Sequence, residues 1–287
     1  MAALSPVSRL RQRLTTPQSW GGGSLRVIAL IYLTALLIIP LGVLVHDGLR
    51  SGLVGLWQAI TLPIVWHALL LTLWTAALTA IINAVMGTLT AYVLTRFDFA
   101  GKGLLNAIVE LPLALPTLIT GLMLVILFGP QTPIGAWLAS AIHLHIIFAP
   151  PGIVLALLFV TFPFVVRAVQ PALTTMDREP EAAAATLGAN SWTIFFRVTL
   201  PAITFPLISG TLLAFARATG EFGAIVLVAG NIPFHTQTVA IYVQGEIESQ
   251  NQLGASAVSV ALLAIALAVI VLVDVLQHRR QSREAHQ

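Results

Sequence analysis

The chain has little of the charge that keeps soluble proteins in water. Only 9% of its 287 residues are charged and 57% are hydrophobic, whereas soluble domains contain about 25% charged and 45–50% apolar residues. The mean hydropathy is +0.93, and several charge-free runs are as long as the roughly 20 residues that a helix needs to cross a bilayer. This composition excludes an ordinary soluble enzyme and predicts an all-α integral membrane protein.

Several chemical functions are excluded by what is missing. The chain has no cysteine, so disulfide bonds, thiolate chemistry and cysteine-type metal sites are absent. It has no Gly-x4-Gly-Lys-Ser/Thr nucleotide-binding motif and none of the motifs of intramembrane hydrolases. The net charge is only +3, so a sequence pI of about 10.0 indicates no nucleic-acid partner. We therefore expect no catalytic residue, no cofactor and no metal site, with His143 and His145 a solvated pair.

The charge-free runs, split where glycine and proline interrupt them, predict six transmembrane helices. Residues 129–133 and 149–151 are the Gly- and Pro-rich interruptions that separate the third helix from the fourth. The predicted helices are 27–45, 67–94, 104–128, 152–173, 202–230 and 254–273.

The distribution of basic residues predicts the orientation of these helices. All but two of the 14 Lys and Arg residues fall on segments that six crossings place on one side; Arg50 and Arg217 are the exceptions. Because basic residues gather in cytoplasmic loops, we expect both termini in the cytoplasm. Residues 1–26 and 276–287 are then cytoplasmic tails, and 67–275 form the core domain.

Residues 174–201 form the longest polar connection between two predicted helices. Acidic residues on both sides of Pro180 favour a helix N-terminus, and Gly188 favours its end. Asn190 or Ser191 can cap a second short helix, which leads back into the membrane. The segment is therefore predicted to be a cytoplasmic helix-turn-helix.

This connection resembles the EAA loop of ABC-importer permeases. In that family the loop docks into a cleft of the ATPase subunit. The glutamate position of the motif falls on Ala182, and Glu181 lies one residue early, which leaves open the side chain that meets the ATPase. The resemblance implies coupling to the ATPase through Glu181, Ala182, Ala183, Ala184, Gly188, Leu200 and Pro201.

The resemblance extends over about residues 26 to 276. Residues 111–117, 164–171, 220–224 and 230–233 are similar to the sulfate/thiosulfate permease subunits of type I ABC importers, and the molybdate/tungstate permeases are similar in the same places. The family implies a type I importer permease fold in the inner membrane and anion import by alternating access. Molybdate or tungstate import, or a secondary anion transporter, are the alternatives.

The same resemblance implies partners. Family members pair two permease subunits with two ATP-binding cassette subunits and receive substrate from an extracytoplasmic binding protein. For the sulfate systems the second permease is a related chain, so a heterodimer in membrane lipid is expected. The absence of a nucleotide-binding motif agrees with ATP hydrolysis on another chain.

Ionisable residues in the predicted membrane helices are candidates for the translocation pathway, because charge is costly in a bilayer. Arg217 and Glu221 lie four residues apart on one predicted helical face, about 24 and 30 Å along the helix from Pro201. We predict that Arg217 supplies positive potential for a dianion and that Glu221 holds Arg217 in place; a structural ion pair or a snorkelling arginine is the alternative. Glu110 is a third candidate, for gating or else for packing.

Overall fold

The computed structural model describes residues 20–284, and all regular secondary structure in this part of the chain is helical. It has two compact units, Met1–Asp47 and Gly48–Gln287. The first contains α1 (Trp20–Leu33), a π-helical turn (Thr34–Ile38) and all of α2 (Ile39–Gly48) except its last residue. The predicted tail 1–26 lies mostly outside the described residues, as does the end of the tail 276–287.

The second unit is built from long apolar helices joined by short ones. Its elements are α3 (Gly52–Thr61), α4 (Pro63–Arg96), α5 (Lys102–Ala114), α6 (Thr117–Phe128), α7 (Pro133–Ile142), α8 (Pro150–Thr175), α9 (Glu179–Thr186), α10 (Ser191–Ile194), a π-helical turn (Phe195–Thr199), α11 (Leu200–Ala202), α12 (Thr204–Thr219), α13 (Gly223–Ala229), α14 (Val239–Glu248) and α15 (Gln252–Glu284).

Four of the described helical segments are long and apolar enough to cross a membrane. They are Leu25–Gly48, Pro63–Arg96, Pro150–Thr175 and Gln252–Val271, which correspond to the predicted first, second, fourth and sixth helices. Two further segments are bent helix pairs, Lys102–Ala114 with Thr117–Phe128 and Ser191–Ala202 with Thr204–Thr219. The predicted six crossings are reached when each bent pair counts as one span.

The prediction of one continuous third helix, 104–128, is wrong. The chain bends by 110° between α5 and α6. Leu115 between the two helices is extended, with φ −86° and ψ 135°. Pro116 follows it, and a proline disfavours helical backbone at the residue before it and has no N–H to donate. The chain therefore changes direction at this proline, whereas Pro112 is accommodated inside α5.

The prediction of one continuous fifth helix, 202–230, is also wrong. The chain bends by 71° before α12, α12 ends at Thr219, and α13 begins only at Gly223. In the break, the Glu221 carboxylate accepts a hydrogen bond from the Ala224 N–H at 2.9 Å. A side chain that accepts a hydrogen bond from an N–H group at the start of a helix favours a new helix there over extension of the preceding helix.

Sequence reasoning missed three helices, α3, α7 and α14. The signal for α7 was present, because Thr132 precedes Pro133 and its hydroxyl oxygen accepts a hydrogen bond from the Gly135 N–H at 3.1 Å. Threonine at the N-cap followed by proline at the first helical position is a typical start of a helix. These helices have only 10 residues each, too few to cross a bilayer.

Close packing of α4, α8 and α12 forms the centre of the second unit. A Cβ atom placed on Gly210 of α12 would lie 2.6 Å from the Ala168 Cβ, and one on Gly87 of α4 would lie 2.9 Å from Val165. Small residues at such crossings allow helix backbones to approach closely, as in other membrane proteins. This core holds the two broken segments against each other.

Candidate functional site

The break between α5 and α6 lies beside the break between α12 and α13. A Cβ atom placed on Gly223, at the start of α13, would collide with the Thr117 hydroxyl and lie 3.1 Å from the Leu118 nitrogen at the start of α6. One on Gly121 would lie 2.5 Å from the Ala224 carbonyl oxygen. In secondary transporters, discontinuous transmembrane helices form the substrate site, and irregular backbone at membrane depth is tolerated where it is buried in protein or lines a cavity. We therefore take the paired breaks as the centre of the candidate site.

The contact between α6 and α13 leads to a prediction about stability. Because an added methyl group would overlap the Ala224 backbone, Gly121→Ala should destabilise the protein by about 1–3 kcal/mol. The matched control is Gly245→Ala in the interior of α14, where no atom lies within 4 Å of the new Cβ and where alanine should stabilise by about 0.5–1 kcal/mol. Thermal unfolding in detergent measures both; equal melting temperatures would contradict the proposed overlap.

Arg217 and Glu221 form an ion pair at the break between α12 and α13. The Arg217 Nη1 lies 2.6 Å from the Glu221 Oε2. The prediction that the two residues share one helical face is wrong, since Glu221 lies outside α12. They meet because Glu221 folds back on the last turn of α12 while its Oε1 accepts from the Ala224 N–H.

The two partners differ in their access to the surface. The Glu221 side chain is 1% exposed, whereas that of Arg217 is 36% exposed. Both carboxylate oxygens are hydrogen-bonded or paired, so the acid is held in one orientation. A guanidinium has five N–H donors, and Glu221 is the only acid within 4.0 Å of Arg217 in the described part of the chain. The arrangement leaves donors of Arg217 able to bind an anion.

Glu110 belongs to a separate ion pair. Its Oε1 lies 2.6 Å from the Arg167 Nη2, and one turn away Gln170 donates to the Asn106 side-chain oxygen at 3.3 Å. These contacts join α5 to α8, and both charged side chains are part-exposed. Sequence reasoning did not pair Glu110 with Arg167, because they lie on different helices and no local spacing relates them.

The predicted helix-turn-helix is confirmed between α8 and α12. α9 has Pro180 in its first turn, and Gly188 has φ +85°, a left-handed conformation that glycine adopts without steric cost. Asn190 is the cap of α10, since its side-chain oxygen accepts from the Thr193 N–H at 2.8 Å.

The residues predicted to couple to the ATPase face different ways. Most of the α9 surface is open, with Ala182, Ala183 and Gly188 exposed and Ala184 part-buried. Leu187 is 88% exposed, and Pro201 is exposed while Leu200 is part-buried. Glu181 instead points inward, with its Oε1 3.0 Å from the Arg96 Nη2.

A surface ion pair lies in the turn between α4 and α5. The Lys102 Nζ is 2.9 Å from the Asp98 Oδ1. The hydrogen bond and the charge of Lys102 hold the pKa of Asp98 below its usual value of 3.8. Asp98 is fully exposed, so this pair serves below as a control for the Arg217–Glu221 pair.

Comparison with known proteins agrees with the broken-helix architecture. The fold matches the crystal structure of a bacterial ABC transporter involved in the import of the acidic polysaccharide alginate, with a TM-score of 0.75 over 91% of this chain and 96% of that chain at 17% identity. The fold is thus that of an ABC-importer membrane subunit. Residues 83–283 match the family described as binding-protein-dependent transport system inner membrane component.

Sequence relatives give the branch of that family. The chain is 38% identical to the sulfate transport system permease protein CysT of Escherichia coli over 251 residues, 88% of this chain and 90% of the relative. It is also 38% identical to the sulfate transport system permease protein CysW of Synechocystis over 258 residues, 90% and 93%. The chain belongs to the inner membrane components of binding-protein-dependent transport systems, in the branch of the sulfate transport permeases.

Membership of this family defines the general role of the chain. It is a multi-pass inner membrane subunit of an ABC importer, it forms part of the translocation pathway, and it works with the other components of such a system. It is a transport subunit and not an enzyme.

Proposed function

We propose that this chain conducts sulfate or thiosulfate inward across the membrane. The observation that carries the proposal is the similarity, over nearly nine-tenths of the chain, to sulfate transport permeases such as those of Escherichia coli and Nephroselmis olivacea. The chemistry of the site is compatible with it, because a guanidinium binds tetrahedral oxyanions through paired charge-assisted hydrogen bonds.

The proposed partners are a second permease subunit, two ATP-binding cassette subunits and an extracytoplasmic sulfate-binding protein. Synechocystis has both a CysT and a CysW permease, which are 36% and 38% identical to this chain. Two related permeases in one organism favour a heterodimer. Both termini are proposed to be cytoplasmic, with residues 27–45 as the first crossing and 67–275 as the transport domain.

The proposed cycle is alternating access. ATP-driven closure of the ATPase dimer moves the coupling loop, residues 174–201, and opens the pathway toward the binding protein. Hydrolysis returns it to the inward-facing state. The exposed apolar side chains of Leu187, Trp192 and Phe196 supply the loop with a surface suited to docking.

Arg217 is proposed to attract the dianion, with Glu221 as its positioning partner. A bare arginine near a pathway would bind a dianion tightly and release it slowly. A neighbouring carboxylate lowers that affinity and holds the guanidinium in place. Glu110, paired with Arg167 on adjoining helices, is proposed to take part in gating, because part-exposed charges avoid lipid and face protein or water.

The test is uptake of radiolabelled sulfate by cells that carry this chain with its own ATPases, binding protein and second permease. We expect competition by excess thiosulfate and co-purification with the ATPase. Competition by molybdate or tungstate at far lower concentration would move the substrate to those oxyanions. Gradient-driven uptake by the chain purified alone would instead support a secondary transporter.

A further inference from the structure

Four helical segments meet around the ion pair of Arg96 and Glu181 at the end of α4. Arg96 is the last residue of that helix. Its Nη1 donates to the Leu173 carbonyl in the last turn of α8 at 3.2 Å, and its Nη2 donates to the Glu181 Oε1 of α9 at 3.0 Å. The Thr199 hydroxyl, in the π-helical turn before α11, donates to the same carboxylate oxygen at 2.7 Å.

This cluster is largely removed from solvent. The side chains of Arg96 and Glu181 are 8% and 16% exposed, and Thr199 is fully buried. Surface ion pairs add little to stability, whereas a buried pair that is also hydrogen-bonded is strongly coupled. The contact is therefore a firm attachment between α9 and the helix bundle.

α9 has few other attachments of this kind. It contains no buried residue, and its other described hydrogen bonds with side chains are local, from Thr186 to the Ala183 carbonyl and from the Glu179 N–H to the Asp177 carboxylate. The neighbouring turn is attached to α4 by the edge-on packing of Phe195 against Tyr92, with ring centroids 5.4 Å apart. Among the described side-chain hydrogen bonds, that between Arg96 and Glu181 joins α9 to α4, and Arg96 in turn bonds to α8.

We propose that the cluster of Arg96, Glu181 and Thr199 transmits movement of the coupling loop to α4 and α8. Glu181 is thus a positioning residue within this chain and makes no contact with the ATPase. This inference rests on the proposed function, in which the loop containing α9 docks on the ATPase. In this proposal, the Arg96–Glu181 bond inside the permease transmits the movement, and the exposed surface of α9 and α10 contacts the ATPase.

The experiment compares Glu181→Gln with the wild type in the purified complex of permeases and ATPases, reconstituted with the binding protein. Glutamine keeps the shape of the side chain but removes the charge that pairs with Arg96. We expect the same amount of co-purified ATPase but at least about a tenfold loss of substrate-stimulated ATP hydrolysis and uptake, the factor that a charge-assisted hydrogen bond contributes. The control is Asp98→Asn, which removes an acid from the exposed turn between α4 and α5, outside the docking surface; it should behave as the wild type.

Two further variants separate coupling from folding. Thr199→Val keeps the side-chain volume and leaves no charge unpaired, so it should fold and show a smaller loss of stimulation in the same direction. Exchange of the two charges, Arg96→Glu with Glu181→Arg, should restore part of the stimulation that Glu181→Gln removes.

The outcomes distinguish this inference from the proposed function. Loss of the ATPase from the Glu181→Gln complex would make Glu181 a docking contact and overturn the inference. Full stimulation in both Glu181→Gln and Thr199→Val would overturn it as well. If the wild-type chain itself bound no ATPase, the proposed function would fail before the cluster was tested.

Discussion

Replacement of Arg217 and Glu221 together by glutamine is expected to slow sulfate uptake about 10- to 100-fold, since a hydrogen bond to a charged group contributes about 1.5–3 kcal/mol. The variant should still fold and bind its ATPase. Removing both charges avoids a buried acid without a counterion. The change therefore isolates the positive potential that Arg217 is proposed to give the pathway.

The matched control removes another ion pair with the same spacing along the chain. Asp98 and Lys102 lie four residues apart with their charged atoms 2.9 Å from each other, but at the surface turn between α4 and α5. Lys102→Gln with Asp98→Asn should leave uptake within about twofold of the wild type, because exposed pairs contribute little. Equal uptake by the two double variants would eliminate the pathway role and leave Arg217 and Glu221 as a structural ion pair.

Arg217→Gln alone is expected to be less stable than the double variant. It leaves the Glu221 carboxylate 1% exposed without a positive partner, and breaking a buried pair in this way costs about 3–5 kcal/mol. Adding Glu221→Gln should recover most of that loss, since the uncharged amide keeps an oxygen that can accept from the Ala224 N–H.

Thermal unfolding of the purified protein in detergent measures this difference. The single change Lys102→Gln is the control, because it leaves the fully exposed Asp98 in water and should leave the unfolding temperature close to that of the wild type. If Arg217→Gln and the double variant unfolded at the same temperature, the unpaired Glu221 carboxylate would carry no penalty; with Glu221→Gln alone measured as well, the cycle gives the coupling energy of the pair.

The coupling loop illustrates how far local sequence rules reach. Proline in the first turn of α9, glycine after its end and asparagine before α10 each act on backbone groups within a few residues. For this reason the helix-turn-helix and its Asn190 cap were predictable. The partner of Glu181 was not, because Arg96 lies 85 residues away in the sequence and no spacing rule connects them.

The same contrast holds in the membrane-spanning helices. Hydropathy located the apolar segments, since a bilayer selects length and composition whatever the neighbouring helix is. It did not reveal the 110° turn at Pro116 or the break at Glu221, because hydropathy averages over a window of residues and carries no information on the backbone direction. A proline in a membrane helix is compatible with a kink, a hinge or a complete break, and the packing around it selects among them.

The sequence by itself determined the class of protein, the apolar segments, the helix-turn-helix between α8 and α12 and the charged residues worth testing. Each of these depends on interactions with solvent, lipid or residues close in the chain. Only the tertiary structure decided that Arg167 pairs with Glu110, that Arg96 holds Glu181, and that two broken helices meet where Arg217 is exposed. Those contacts join helices far apart in the sequence, and α13 can pack against α6 because Gly121 and Gly223 leave the two backbones free to approach closely.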